Sequence, residues 1–209
     1  KWKYVLGIVL TIFSWSMLAT VTKPQTPPEK KVDIYLVGGY MVEEPAAEYA
    51  NTVLMDFPDL LEVNIFNIGV EGEMEYAGRQ KLMVMLGSQS GESIAKTGAF
   101  LPLDDYTDLL KHFTKEQLEE YTYTTEYDQT PRIYGVPVSD VESIGNTFFK
   151  TENSVMGVMA YSKNSEKAVE VLEWIEKHKT EEQYQQRKQE LLKTKEEQEV
   201  QKQQEKQDD

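Results

Sequence analysis

The sequence predicts an α/β domain with a mainly parallel sheet, preceded by one transmembrane helix and followed by a polar helical tail. Three observations carry this prediction. Between Val32 and Trp174 short apolar runs alternate with amphipathic stretches, the pattern of strands joined by crossover helices. Tyr4 to Val21 runs eighteen residues without a charge, which reaches the length needed to cross a bilayer. Beyond Trp174 apolar residues become sparse, so the folded part is a single domain and the rest an appendage. The expected divisions are an anchor over 1–22, a Pro- and Lys-rich linker over 23–31, the α/β domain over 32–179 and a Gln-, Glu- and Lys-rich tail over 180–209.

In the leader, Trp2 and Tyr4 lie where aromatic rings favour the headgroup layer, with Lys1 and Lys3 beside them. A cleaved signal peptide is the competing reading, but it needs small residues at −3 and −1 of the cut. Cutting after Ala19 puts Met17 at −3, and cutting after Thr20 puts Leu18 there. Both are bulky, which favours the anchor. Either reading places the bulk of the chain outside the cell, and the anchor makes a single pass through the cell membrane. TKPQTPPEKK (22–31) has three prolines and no apolar period, as expected of an extended spacer.

Val32–Val37 reads as a buried strand ending in the Gly38-Gly39 turn. Pro45 suits the first turn of the following helix, and Pro58 closes it. Glu62–Ile68 is a second strand. Met74, Ala77, Lys81 and Met85, with Leu82 and Leu86, predict an amphipathic helix over Glu73–Leu86. Leu101–Leu103 is a short extended piece, and Asp104 is placed to cap a helix through DYTDLLKHF. Thr114 and Gln117 form a capping box for the next helix. Arg132–Val138 is a strand that Gly135 and Pro137 confine to an edge or crossing position. Ser154–Tyr161 is another apolar strand, and Ser165 is expected to cap a last helix with Ala168, Val171, Leu172 and Ile175 on its inner face. From Thr180 the tail, with only Tyr184, Leu191, Leu192 and Val200 apolar, cannot bury a core of its own and reads as a solvated, fraying helix.

The net charge is −14. Up to Lys31 five lysines face the single acid Glu29, so the body beyond carries all of the negative excess. Such a body repels phosphate backbones, which argues against nucleic-acid binding. There is no cysteine, hence no disulfide framework, thiolate metal site or Cys nucleophile. His112 and His178 are isolated, without metal-ligand spacing. Asp104-Asp105 suits a helix start better than a catalytic pair. Gly38-Gly39 lacks the G-x-G-x-x-G frame of a phosphate cradle. Ser88 and Ser90 have no nucleophile elbow around them. No enzymatic chemistry, metal or cofactor is expected.

The segments DLLEVNIFNIG, YAGRQKLMVMLGSQSG, GAFLPLDDY (98–106), IYGVPVS (133–139) and AYSKNSEKAVEVLEWI are spread over Val32 to Trp174. In this order they resemble the extracellular solute-binding proteins of ABC importers, family 1, especially the sugar-binding group. LPLDDY with YGVP is the most specific combination. The resemblance implies one lobe of a periplasmic-binding-protein-like fold, a sugar or other small solute as ligand, and an ABC transporter permease as partner. Two departures stand out. Only GESIAKT (91–97) lies between Ser90 and Gly98, where the family has a further strand, and most of the second lobe expected after Ser139 is missing.

In open parallel sheets, ligands sit beyond the carboxyl ends of the strands. That rule places Tyr40 and Glu44, after the first strand, near Ser88, Gln89 and Ser90 as candidate ligand-binding residues; an aromatic face with hydroxyl and amide groups suits a carbohydrate. The alternative is a surface interaction or scaffold protein, derived from such a lobe, that binds no ligand.

Overall fold

The computed structural model describes residues 2–21, 26–68 and 83–208. Helix α1 (Trp2–Val21) comes first. Its described side chains are those of Trp2 and residues 5–16, and the large apolar ones among them are exposed, from Val5 to Trp15. Among the described residues, no helix is long and apolar enough to cross a membrane. A single 3-10 turn (Pro28–Lys30) leads into the domain.

Strand β1 (Lys31–Val37) pairs in parallel with β2 (Glu62–Ile68) and with β3 (Met83–Gly87). Beyond β3 the sheet continues antiparallel through β7 (Ser154–Val158) to β6 (Val136–Pro137), giving the order β2-β1-β3-β7-β6. A separate two-stranded ribbon joins β4 (Thr122–Tyr123) to β5 (Arg132–Ile133). The main sheet is therefore mixed, where the sequence predicts a mainly parallel one. The expected helix over Glu73–Leu86 is also corrected at its end. Residues 73–82 lie outside the described residues, but Met83–Leu86 are strand. M-V-M-L fits both periods, and pairing on both sides, with β1 and β7, decides for the strand.

The alternation along β1 explains the layering. Val32, Ile34 and Leu36 belong to one apolar cluster and Tyr35 to a second on the opposite face. The first cluster is covered by α2 (Glu43–Asp56) and α7 (Ser165–Lys177), through Ala46, Tyr49, Ala50 and Val53 and through Ala168, Val171, Leu172 and Ile175. The second gathers Ala95 of α3 (Ser88–Lys96) with Phe100 and Tyr134. Gly157 in β7 has no room for a side chain: a Cβ there would lie 2.9 Å from the Phe100 ring. Asp33, 1% exposed, is a charged residue buried inside the sheet. Lys31 Nζ at 2.9 Å and its cross-strand partner Asn64, donating from Nδ2 at 2.9 Å, satisfy both carboxylate oxygens.

Two expected caps are not formed. Asp104 does not cap the short α4 (Thr107–Leu110); Tyr106 precedes that helix and makes no side-chain cap. Instead, Asp104 Oδ2 accepts from the Ile133 N–H at 3.3 Å, tying the β5 ribbon to the Leu101–Leu103 segment. Ser165 is the first residue inside α7, not its cap; Asn164 precedes it and donates to Lys31 O at 3.1 Å. The Thr114–Gln117 capping box on α5 (Lys115–Glu119) is present in both directions. Arg132–Val138 is split around Gly135 into β5 and β6, the latter at the sheet edge; a Cβ at Gly135 would come within 2.6 Å of Val155, so the crossing needs glycine.

The tail is helix α8 (Glu181–Asp208), started by a capping box between Thr180 and Gln183. Its first turns are not free. Tyr184 is buried and stacks on Tyr49 with ring centroids 4.9 Å apart. Arg187 reaches Asp56 at the end of α2 with a two-point contact, Nε to Oδ2 at 2.8 Å and a terminal nitrogen to Oδ1 at 2.5 Å. Trp174 Nε1 donates to the same Oδ2 at 2.6 Å, and Lys188 pairs with Glu48. Burial alone would raise the Asp56 carboxyl, but the hydrogen bonds from Arg187 and Trp174 outweigh it and hold it below its ordinary value.

Three substitutions separate these contributions. Arg187 is 34% exposed, so solvent screens the pair, and Arg187→Ala is expected to cost about 1–2 kcal/mol rather than the 3–5 of a fully buried pair. Leu172→Ala should cost about 2–5 kcal/mol, whereas Leu192→Ala on the exposed part of α8 should stay within about 0.5 kcal/mol. Urea unfolding followed by Trp174 fluorescence, with Trp2 and Trp15 replaced by Phe, measures all three.

Candidate functional site

The carboxyl ends of β2, β1 and β3 lie at one edge of the sheet, because all three strands run in parallel and in register. β1 leaves this edge through Gly38 and Gly39, both at positive φ (76° and 70°), a conformation that glycine takes without a Cβ penalty. Gly38 N–H donates to Ile68 O at 3.1 Å and Asn67 Nδ2 donates to Gly39 O at 3.3 Å, so the turn is fastened to the end of β2. On its other side a Cβ at Gly39 would meet the Phe149 ring at 3.4 Å, and Val42 N–H donates to Phe148 O at 2.9 Å.

This fastened turn presents Tyr40 with 80% of its surface open. Glu44 follows in the first turn of α2, exposed, where a carboxylate complements the helix dipole. Ser88, Gln89 and Ser90 form the first turn of α3, which leaves β3 directly at the same edge. The fold thus brings the expected residues to one side of the sheet: Tyr40 and Glu44 after β1, and Ser88, Gln89 and Ser90 after the neighbouring β3.

Other residues of this edge escape a strand-by-strand reading. β7 runs antiparallel, so its start lies here too, Ser154 opposite Gly87, with Asn153 before it at φ 54°. Ser139 and Asp140 leave β6 nearby and line a polar recess of about 280 Å³ with Glu120, Tyr121 and Asn153. A larger open groove of about 540 Å³ runs between α2 and the edge strand β2, past Met41, Glu43, Asn51, Asn64, Phe66 and Asn67. Asn67 could have been found from its place at the end of a predicted strand. Phe148 and Phe149 could not, since nothing local signals that they support a turn over a hundred residues earlier.

Burial pushes both histidines below their ordinary value, and His178 Nδ1 lies 2.8 Å from Trp174 O inside its own helix end. No group of three or more His, Asp or Glu that could hold a metal occurs among the described residues. The edge can do what exposed aromatic, amide and carboxylate groups do together, which is to stack on and hydrogen-bond a polar ligand.

No family model matches the chain, and no curated protein matches it. Solved structures do. An extracellular solute-binding protein of family 1 from Alicyclobacillus acidocaldarius is similar at 15% identity and TM-score 0.41, over 54% of this chain and 29% of that one. An N-glycan transport solute binding protein from Streptococcus pneumoniae follows at 16% identity and TM-score 0.39, over 53% and 25%. An ABC substrate-binding protein from Listeria monocytogenes, in complex with cycloalternan, shares 17% identity at TM-score 0.37, over 50% and 28%. The chain spans less than a third of the length of these structures. The proteins it is similar to are extracellular solute-binding proteins of family 1 and ABC substrate-binding proteins.

Proposed function

We propose that the chain is a non-enzymatic solute-recognition lobe, taking a sugar or other small solute for an ABC importer at the outer face of the cell membrane. One observation carries the reading: Tyr40 stands 80% exposed on a turn that is itself fastened at both flanks, to β2 and to the Phe148–Phe149 segment. A large aromatic face held in water on a rigid support is what stacking on a sugar ring needs. Glu44 adds an exposed carboxylate at the same edge, where the backbone of Ser88, Gln89 and Ser90 begins α3. The IYGVPVS and LPLDDY segments support the same family, and through it an ABC transporter permease as partner.

Membrane attachment rests on the uncharged Tyr4–Val21 stretch, its helical conformation and the exposure of its described apolar side chains. A second reading, a surface interaction or scaffold protein without a ligand, is favoured by α8. Its outer residues 193–204 are exposed, and a helix polar all round commonly bridges between bodies.

Calorimetry of the full chain in detergent micelles separates the two readings. Titration with maltotetraose and with a mannose-rich glycan should give heat for at least one, and an unrelated dipeptide none. Tyr40→Ala should weaken the binding by roughly tenfold, the worth of one stacked aromatic. Absence of heat with every probe would leave the scaffold reading. For the anchor, the chain should remain with membranes after alkaline carbonate washing. Leu10→Arg, at a cost of about 2.5–3.5 kcal/mol for a charge at the helix centre, should shift it toward the supernatant. An unmodified chain washed off by carbonate would contradict the span.

A further inference from the structure

The two edges of the main sheet are guarded very differently. β6 is two residues long, one of them Pro137, and the chain beyond it turns into α6 (Glu142–Gly145). A strand so short and holding a proline gives another strand little to pair with. β2, at the opposite edge, has none of these guards. It runs seven residues, EVNIFNI, in unbroken register with β1, without a bulge, a proline or a lysine, and its single charge is Glu62 at the start. Among the described residues no strand pairs with its outer side. Leu61, just before it, is 62% exposed and Phe66, within it, 42%, so the open edge also carries large apolar side chains.

The groove of about 540 Å³ beside this edge stays open because α2 lines it with small residues, Ala46, Ala47, Ala50 and Asn51. We propose that a second copy of the chain occupies it: two β2 strands pair antiparallel about a two-fold axis at Ile65, joining two five-stranded sheets into one, with the two α2 helices side by side in the groove. Pairing about Ile65 is the register that uses the whole of β2. It sets Val63 opposite the partner's Asn67, Asn64 opposite the partner's Phe66 and Glu62 opposite the partner's Ile68. Residues directly opposite share a face, so Val63 and Ile65 stay on the α2 side in both copies. No like charges stand opposite one another.

The same rotation carries the end where β2 begins onto the end where it stops, and the charges at these two ends are complementary. Where β2 begins, Lys30 is exposed and its ammonium donates to the Asp59 carbonyl at 3.4 Å. The carboxylates there already have partners: Asp59 has Lys167, Asp33 has Lys31 and Glu62 has Thr26. Where β2 stops, Glu43 and Glu44 are exposed in the first turn of α2 and pair with no cation among the described residues. The axis therefore brings the lysine end of each copy to the acidic end of the other, twice per dimer. The net charge of −14 on each copy opposes association, which favours a dimer that dissociates on dilution over a permanent one. Self-pairing is preferred to a foreign strand because the residue pattern and the end charges both complement themselves.

Sedimentation equilibrium of the full chain in density-matched detergent measures the dimer constant over a range of concentrations. Phe66→Lys gives each edge the blocking charge that β2 lacks and enters the interface twice, so it should weaken the dimer roughly tenfold or more. Two exposed positions test the pairing without touching the core: Lys30→Glu and Glu43→Lys should each weaken the dimer severalfold, and the double variant should recover it. The chain has no cysteine, so the single thiol of an Ile65→Cys variant meets only its own copy across the axis. Directly opposite Cα atoms lie about 4.5–5.5 Å apart, within reach of a disulfide. Mild oxidation should link this variant into dimers and leave Glu116→Cys, at an exposed position of α5, unlinked. Association through α1 would be indifferent to all of these substitutions. A chain monomeric at every concentration would overturn the proposal and leave the edge to an extended segment of another protein. A dimer unmoved by Phe66→Lys, no recovery in the double variant, or equal linkage at both cysteine positions would overturn it as well. No sugar enters the measurement, so its outcome is independent of the ligand-binding proposal.

Discussion

A strand that is buried on both faces has to be covered on both faces, and β1 imposes this on the whole domain. Five consecutive residues, Val32 to Leu36, lie out of solvent, so neither face of the sheet can be left to water. One face takes α2 and α7, and the other takes α3 and the Phe100 segment. The requirement reaches even Asp33, whose carboxylate is tolerated only because Lys31 and Asn64 satisfy it within the sheet. Parallel pairing on both sides of β1 then fixes the direction of β2 and β3, and with it the edge at which three strand ends and their loops meet.

Covering the first face brings together segments that are far apart in sequence. Asp56 ends α2 and receives hydrogen bonds from Trp174 and Arg187, more than a hundred residues later. The aromatic rings of Tyr49, Phe148, Trp174 and Tyr184 close around the same place. The start of the tail is thus a structural part of the domain. Its polar composition hides this, because Tyr184, Arg187 and Lys188 alone make the attachment described above, and averages over the segment are dominated by Gln, Glu and Lys.

The local elements were legible where a single period dominates. β1 and β7 follow from their apolar runs, β2 and the apolar face of α7 from residue spacing, α2 from Pro45 and Pro58 at its ends, and the Thr114–Gln117 box from capping chemistry. What misled was competition that only tertiary structure settles. Met83–Leu86 satisfies both a helical and an extended pattern, and strand pairing on both flanks chose the second. Asp104 had two uses, a cap or an acceptor for the β5 ribbon, and the ribbon took it. The antiparallel approach of β7 is a matter of chain path between residues 97 and 153, which no local signal encodes. Within the candidate site, Tyr40 was legible because a glycine turn after a buried strand must surface. The Phe148–Phe149 support was not, since its role exists only once the chain has folded back onto the turn.

The central claim is that the common edge of β2, β1 and β3 is a recognition surface held rigid from both sides, with Tyr40 as its aromatic face. The most direct measurement is amide chemical-shift mapping of the isotope-labelled chain in micelles while maltotetraose is added. The account predicts shifts confined to Gly38–Val42, Asn67, Ser88–Ser90 and Phe148–Asn153. Shifts centred on the groove between α2 and the outer side of β2, with none at Gly38–Tyr40, would contradict it.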